Sequence, residues 1–481
     1  MRSIRKLSRV ITPAIIVCLL TGVSNAQQQR FFTGDNTDAT ALERIARPAE
    51  RATRDMANLP ASYSLKQFAP PVGDQGVHGT CVAWSSSYAA RTISYCIQRN
   101  ITDPDKIRSA SFSPGYLYYQ VKTAGDNNCS NGANIERALQ TLASKGDILK
   151  SENIPDCVAS IDAQVDNKAR NYAIKAYTRL TQAYSSISKN EIGAIKKSLS
   201  EKKPVVISLK CMKSFFSVGK DGVWIPKTDD VSEGNHAMCV IGYDDNKMGG
   251  AFEVMNSWGT GWGNSGFVWI TYPQMEAYGN YAIEMMDKEA GQPEIKGSMD
   301  FVLLDGSSMP VQRSKITTRS ISVEDDDAAD YSSYHLAENY PGGTAFKIKF
   351  TTSAPAFVYI FSVDDKNVVS KLFPYAAEIS PAINSADATV YLPGENKHAR
   401  LSNDPGTEKI CVLYSKKQID FNTLMADIMK APSKMYETIM SDYKDQIIPV
   451  KNIAFGNDKI SFDAKASEQQ MICFFVNLNH K

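Results

Sequence analysis

At 481 residues the chain is too long for one ordinary domain and predicts two or three. Lys and Arg number 53 against 52 Asp and Glu, so bulk charge points to neither nucleic acid nor an anionic membrane as partner. With 43% hydrophobic and 22% charged residues, the composition is that of globular domains with real cores.

Arg2, Arg5, Lys6 and Arg9 open the chain, and a mostly apolar run from Val10 to Val23 leads to Ser24-Asn25-Ala26. This pattern predicts a signal peptide over residues 1–26, cleaved near Ala26, and a secreted or periplasmic product. The run is shorter than a membrane span and no other stretch is long enough, so the mature chain is expected to have no transmembrane segment. Cys18 does not fit a lipid anchor, because Ile16 and Val17 stand where a small residue is needed. Residues 27–60 are polar, rich in Ala, Arg and Thr, with little periodic apolar content. They read as a flexible leader or a short pro-segment removed on maturation.

From Ala61 the composition becomes globular. The stretch Gly73-Asp74-Gln75-Gly76-Val77-His78-Gly79-Thr80-Cys81 is a glycine-punctuated loop that can bend sharply and approach a ligand closely. Behind it, Val82, Ala83, Trp84, Tyr88, Ala89, Ile93 and Ile97 recur at helical spacing, predicting a helix that ends near Asn100. Unpaired N–H groups and the helix dipole favour a thiolate at such a terminus, and the thiolate is the nucleophile. A structural cysteine in a turn fits this segment alone equally well. Further helices are predicted over Ile135 to Ser144 and Glu191 to Leu199. Then the period changes, with strands at 204–209, 235–243, 251–256, 266–270 and 281–285. Helices first and strands second predict an α+β arrangement of two packed halves, with a cleft between them as the natural ligand site.

Residues 289–300 are polar, with Gly and Pro, and read as a linker. Residues 301–481 read as a separate, mainly β, sandwich-like domain with a helical hairpin from Phe421 to Asp442 interrupted at Pro432. Glu324-Asp325-Asp326-Asp327 with Asp330 lacks the spacing of a calcium loop and reads as solvated surface.

A thiolate needs a base, and the chain has five histidines. His335, His398 and His480 fall in contexts that look exposed, whereas His236 enters an apolar strand. Asn256-Ser257-Trp258-Gly259 follows at the end of the next strand. A carboxamide there can fix the imidazole tautomer without adding charge, and an indole can keep water off that bond. Gln75-Gly76-x-x-Gly79-Thr80-Cys81, Asn235-His236-Ala237 and Asn256-Ser257-Trp258-Gly259, with Gly242-Tyr243 and Gly261-Trp262-Gly263, together resemble the papain-like cysteine proteases over residues 61–288. The interval from Cys81 to His236 exceeds the roughly 130–150 residues usual there, and the extra length is expected in loops between about 145 and 190.

The resemblance implies a two-lobed domain with a helical and a β lobe. It assigns Cys81 as nucleophile, His236 as general base and acid, Asn256 as its orienter, and Gln75 with the Cys81 N–H as oxyanion hole. Gly132, Ala133 and Trp258 would border the substrate, with Trp258 also shielding the Asn256–His236 contact. Together with the export signal it implies an exported cysteine peptidase acting on protein or peptide substrates and needing no cofactor; the lack of an obvious occluding insertion points to an endopeptidase, with exopeptidase action left open. The chain departs from the family where His78 replaces a cysteine and Val82 a tryptophan. The first leaves Cys129 free to pair elsewhere, with Cys157 as the implied partner. His78 and Cys81 alone make an incomplete metal pair, so no metal is expected. Residues 27–60 are too short for the helical inhibitory segment of many such zymogens, so any latency must work differently. Besides Cys81, the remaining cysteines of the mature chain are odd in number, leaving at least one thiol free or paired between chains; Cys239 reads as a small core residue.

Residues 345–415 resemble a domain of unknown function found in exported and multidomain bacterial proteins, on Phe357-Val358-Tyr359-Ile360-Phe361, Leu372-Phe373-Pro374 and Pro405 to Ile410. This implies a β-rich interaction module, with a protein or a glycan as its partner. Two other functions fit the same residues: an inactive papain-like binding scaffold, and a thiol acyltransferase or amidase using the same triad.

Overall fold

A computed structural model describes residues 31–49, 58–185, 187–291, 294–314, 331–394, 396–465 and 468–481. The expected signal peptide, Cys18 and the acidic stretch around Asp325 lie outside these residues.

The helical lobe follows its sequence signals. Asp103, Ser113 and Asn134 cap helices Pro104–Ser109, Pro114–Val121 and Ile135–Ser144, accepting from Lys106, Tyr116 and Glu136 N–H groups. In the last of these, Ile135, Ala138, Leu139 and Leu142 form the buried stripe. The helix behind Cys81 opens with one α-turn (Cys81–Ala83), widens into a π-helix over Trp84–Arg91 and resumes as Thr92–Gln98. The periodicity predicted the helix but not the widened segment. Asn100, in the left-handed region at φ 51°, marks its end. Arg91, at the end of that segment, makes a buried 2.6 Å ion pair with Asp287.

The β lobe is an antiparallel sheet of β1 (Ser62–Ser64), β2 (Ala176–Arg179), β3 (Val205–Met212), β4 (Ser232–Asp244), β5 (Ala251–Met255), β6 (Phe267–Thr271) and β7 (Gly279–Met286). Its order is β2-β7-β3-β4-β5-β6, with β1 on the far part of β4. Val205, Val206, Ile207 and Leu209 of central β3 are buried, and one continuous core joins this sheet to the helical lobe. The disulfide Cys129–Cys157 ties the loop ahead of Ile135–Ser144. Cys129 in turn accepts the Gly79 N–H at 2.8 Å through its carbonyl, bracing the cysteine loop.

The expected linker 289–300 is corrected in its second half. Glu294–Leu303 is a strand paired with Ala345–Thr352 and Ile460–Lys465. Its polar residues alternate with buried Ile295, Met299 and Phe301, and Gly297 admits the Phe462 ring. The C-terminal domain is a sandwich of two sheets. One orders Val311–Arg313, Ser332–Leu336, Met471–His480, Gly406–Ser415, Ala356–Asp364 and Val369–Phe373; the other orders Ala388–Leu392, Ala345–Thr352, Glu294–Leu303, Ile460–Lys465 and Ile453–Phe455. Phe421–Lys430 and Met435–Tyr443, with Pro432 between them, cover the outer face of the first sheet. His480 is buried rather than exposed, because it ends a central strand, and His335 is half-buried.

The sandwich docks on the β2–β7 edge of the first domain. Asn384 Nδ2 donates to Thr178 Oγ1 at 2.9 Å and Glu284 Oε1 at 2.7 Å. Lys175 Nζ donates to Pro355 O at 2.9 Å and pairs with Glu289, which Lys416 also contacts.

Candidate active site

The structure brings Cys81, His236, Asn256, Gln75 and Trp258 together between the two lobes. Cys81 is the first helical residue after the loop, His236 lies on β4 opposite Leu209, and Asn256 directly follows β5. The pairing of β4 with β5 sets the last two side by side: His236 Nε2 to Asn256 Oδ1 is 2.7 Å. The Trp258 ring stacks on the imidazole at 4.4 Å between centroids and 25° between planes. Ala237 N–H reaches Cys81 Sγ at 3.5 Å, and His236 Nδ1 has no hydrogen-bond partner among the described residues. Nε2 is thus engaged by Asn256, and Nδ1 is the nitrogen free to exchange a proton with the thiol.

Gln75 is held on both sides of its amide. Ser257 Oγ donates to its Oε1 at 2.7 Å, and its Nε2 donates to His78 O at 2.7 Å and to Phe32 O at 3.1 Å. Gln75 N–H donates to Ser257 O at 2.8 Å, fastening the cysteine loop to the turn after β5.

Phe32 belongs to the leader, which lies in the cleft as an extended chain. Trp258 Nε1 also donates to Phe32 O, at 3.1 Å, and the Phe31 ring stacks on Trp258 at 4.9 Å. Gly34 and Asp35 N–H donate to Asn235 O at 3.3 and 3.2 Å. Ala133 N–H donates to Gly34 O at 2.9 Å and Asn36 N–H to Ala133 O at 3.0 Å, a parallel bridge between Asp35 and Ala133. A Cβ on Gly34 would stand 2.1 Å from Gly79 O, so only glycine passes there. Gly132, at φ +75°, is the second such position: a Cβ there would stand 2.5 Å from Gly34 O. Beneath this strap Cys81 and His236 are fully buried, at 0% exposure each. The leader is anchored by Leu42 and Ile45 in the core and by Phe31 packed against it, three apolar residues too few and too scattered among polar ones to mark an element in the sequence.

Burial dominates the electrostatics. It pushes the Cys81 thiol up to about 12; the nearby Asp35 carboxylate adds to this, and backbone N–H groups of Ala237, Val82 and Gly34 oppose it. Burial pushes His236 down to about 4 against the Asn256 hydrogen bond. Asp35 is itself raised by burial, offset by bonds from Ser208, Thr37 and Tyr281. The thiolate expected from the helix terminus is therefore absent from this closed form: desolvation outweighs the terminus. Asp35, Ser257 and Tyr281 are site residues that sequence reasoning missed.

The two departures sit beside the thiol in different ways. His78 is half-buried, its Nδ1 3.0 Å from Asn128 O, and joins no metal-binding group among the described residues. Val82 is fully buried in the core. Cys81, Cys96, Cys211, Cys239, Cys411 and Cys473 are buried free thiols among the described residues.

Residues 59–287 match the sequence model of the papain family cysteine proteases, and residues 339–418 match a domain of unknown function, DUF4384. An uncharacterised peptidase C1-like protein of Acanthamoeba polyphaga mimivirus is 27% identical over 213 residues, covering 41% of this chain and 63% of that protein. Mouse cathepsin K is 25% identical over 217 residues, covering 45% and 60%. The chain thus spans less than two thirds of the length of these curated relatives. Among solved structures, xylellain, a cysteine protease from Xylella fastidiosa, aligns with a TM-score of 0.43 at 23% identity, over 53% of this chain and 96% of that one. Residues 59–287 are a papain family cysteine protease domain, and a DUF4384 domain follows it in the same chain.

Proposed function

We propose that the chain is a cysteine peptidase that hydrolyses peptide bonds through an acyl-enzyme on Cys81, described here in a latent form. The observation that carries the reading is the polypeptide already in the cleft: its Phe32 carbonyl accepts from Gln75 while its backbone pairs with Ala133.

In the open enzyme His236 Nδ1 takes the Cys81 proton, and the thiolate attacks the substrate carbonyl carbon. Gln75 Nε2 and the Cys81 N–H stabilise the resulting oxyanion. The C–N bond breaks as His236 returns the proton to the leaving nitrogen. Water, deprotonated by His236, then cleaves the thioester, releasing the acid and restoring the thiol. Asn256 holds the imidazole tautomer throughout, and Trp258 covers that contact.

The leaving nitrogen must face His236, so the part of a substrate after the scissile bond lies toward Trp258 and the part before it toward Ala133. The leader runs the other way, from Phe31 at Trp258 to Asn36 at Ala133. It fills the cleft with reversed polarity and offers no correctly oriented bond. Export follows from the basic and apolar first residues; no helix among the described residues is long and apolar enough to cross a membrane.

The test uses the full chain opened by Gly34→Leu, which cannot pass Gly79 with the leader in place. An epoxysuccinyl thiol probe should label this variant, and Cys81→Ala in the same background should abolish labelling. No Cys81-dependent labelling would sink the peptidase reading. Product analysis with and without an added amine separates hydrolysis from acyl transfer.

A further inference from the structure

The leader does not end its contacts in the cleft. After helix Ala39–Glu43, Ile45 and Ala46 are tied to the protease domain: Arg179 Nε donates to Ile45 O at 2.8 Å and Arg179 N–H to Ala46 O at 3.0 Å. The next residue changes partner. Arg47 N–H donates to Glu378 O at 2.7 Å, and Ser380 N–H donates to Arg47 O at 2.7 Å. This is a parallel bridge between Arg47 and Ile379 of the C-terminal domain. Two residues on, Ala49 is 7% exposed and belongs to the same apolar cluster as Ile379 and Ile383. One strap therefore passes from the thiol, across β2, into the sandwich.

We propose that segment Glu378–Ser380 is a docking edge whose partner is the leader of its own chain. By holding Arg47 and Ala49, the domain of unknown function keeps the leader in the cleft. This rests on the reading of Cys81 as a peptidase nucleophile closed by the leader, and goes beyond it by giving the C-terminal domain a task. The logic is effective concentration. Residues 31–46 are held in the cleft and along β2 through their own contacts, and fixing the following residues limits how far they travel when those contacts break. The two backbone bonds and the buried methyl are formed only while the strap is in place. Losing two net hydrogen bonds of ordinary strength corresponds to roughly five- to a hundredfold in the open population.

Two variants of the full chain break the clamp without touching the cleft. Arg47→Pro removes the N–H that donates to Glu378 O, and Ala49→Asp places a carboxylate in the apolar cluster. Two readouts are taken: the rate of Cys81 labelling by the epoxysuccinyl probe, and amide hydrogen exchange at Gly34–Asn36. Strand Gly406–Ser415 serves as internal reference and must stay protected, so that unfolding of the sandwich is not mistaken for release. Both variants should label at least about twofold faster than the parent chain, the lower bound for one lost hydrogen bond, with faster exchange confined to the leader. Parent-like labelling and exchange, while Gly34→Leu labels fast, would overturn the clamp and leave the peptidase reading standing. If Gly34→Leu fails to label, the peptidase reading falls, and the exchange rates alone decide the clamp.

Discussion

Acid should loosen the leader, and His236 sets the window. Burial holds its pKa at about 4 in the closed form, against 6.5 for an unperturbed imidazole. A depressed value means the closed form keeps its full advantage above pH 6.5 and loses it as pH falls toward 4. The whole interval amounts to about 3 kcal/mol, or a few hundredfold in the open population. Cys81 acts at the other extreme. Its thiol is raised from 9.0 to about 12, so its contribution is intact below pH 9 and fades as pH rises through 12. Asp35 opposes His236: its value is raised, so acid relieves rather than penalises its burial. The net expectation is a leader held most tightly between about pH 6.5 and 9, released steeply below. The assay is hydrogen exchange at Gly34–Asn36 in Cys81→Ser at pH 7 and pH 4.5, corrected for the intrinsic pH dependence of exchange. The variant removes self-cleavage from the measurement. Equal protection at the two pH values, or loosening that survives in His236→Gln, would refute the reasoning.

Other substitutions probe separate contacts. Asp35→Asn keeps the shape but removes the opposing titration, so exchange of its leader should rise more steeply below pH 6.5 than in the parent. In the opened Gly34→Leu background, Gln75→Ala should lower kcat about a hundredfold with little change in KM, as expected for a donor used only in the transition state. Ser257→Ala removes the hydroxyl that donates to Gln75 Oε1 and should cost about 1 kcal/mol of the same transition-state stabilisation, read from kcat/KM. Arg91→Leu leaves Asp287 buried without its main partner, and denaturant unfolding should show a loss of about 3–5 kcal/mol.

The candidate site was legible because the chemistry proposed for it needs particular side chains at fixed places. Cys81 at a loop–helix junction, His236 entering a strand and Asn256 leaving the next are all visible in the letters. Two central strands of the sandwich were equally plain, since Phe357 to Phe361 and Met471 to Leu478 are β-branched and aromatic runs bounded by turns. The leader's place in the cleft was hidden for the opposite reason. Gly34, Asn36 and Ala133 meet through backbone N–H and C=O groups, which every residue carries. β2 carries no signal because four residues show no period, and strand Glu294–Leu303 carries none because Gly297 and the charged side chains imitate a linker. His480 looked exposed at the chain end, yet the strand pairing of Gly406 with His480 buries it.

β2 is the outermost strand of its sheet, with β7 on one side only. An open strand edge is a template on which another copy can assemble. Here the leader spends that edge, through the Arg179 N–H, and Asn384 of the sandwich covers Thr178 beside it. Trimming the leader would thus uncover more than the thiol: it would bare donors along a sheet margin. Colloidal behaviour of the trimmed protein, followed by light scattering against the intact chain, becomes a readout of the same strap.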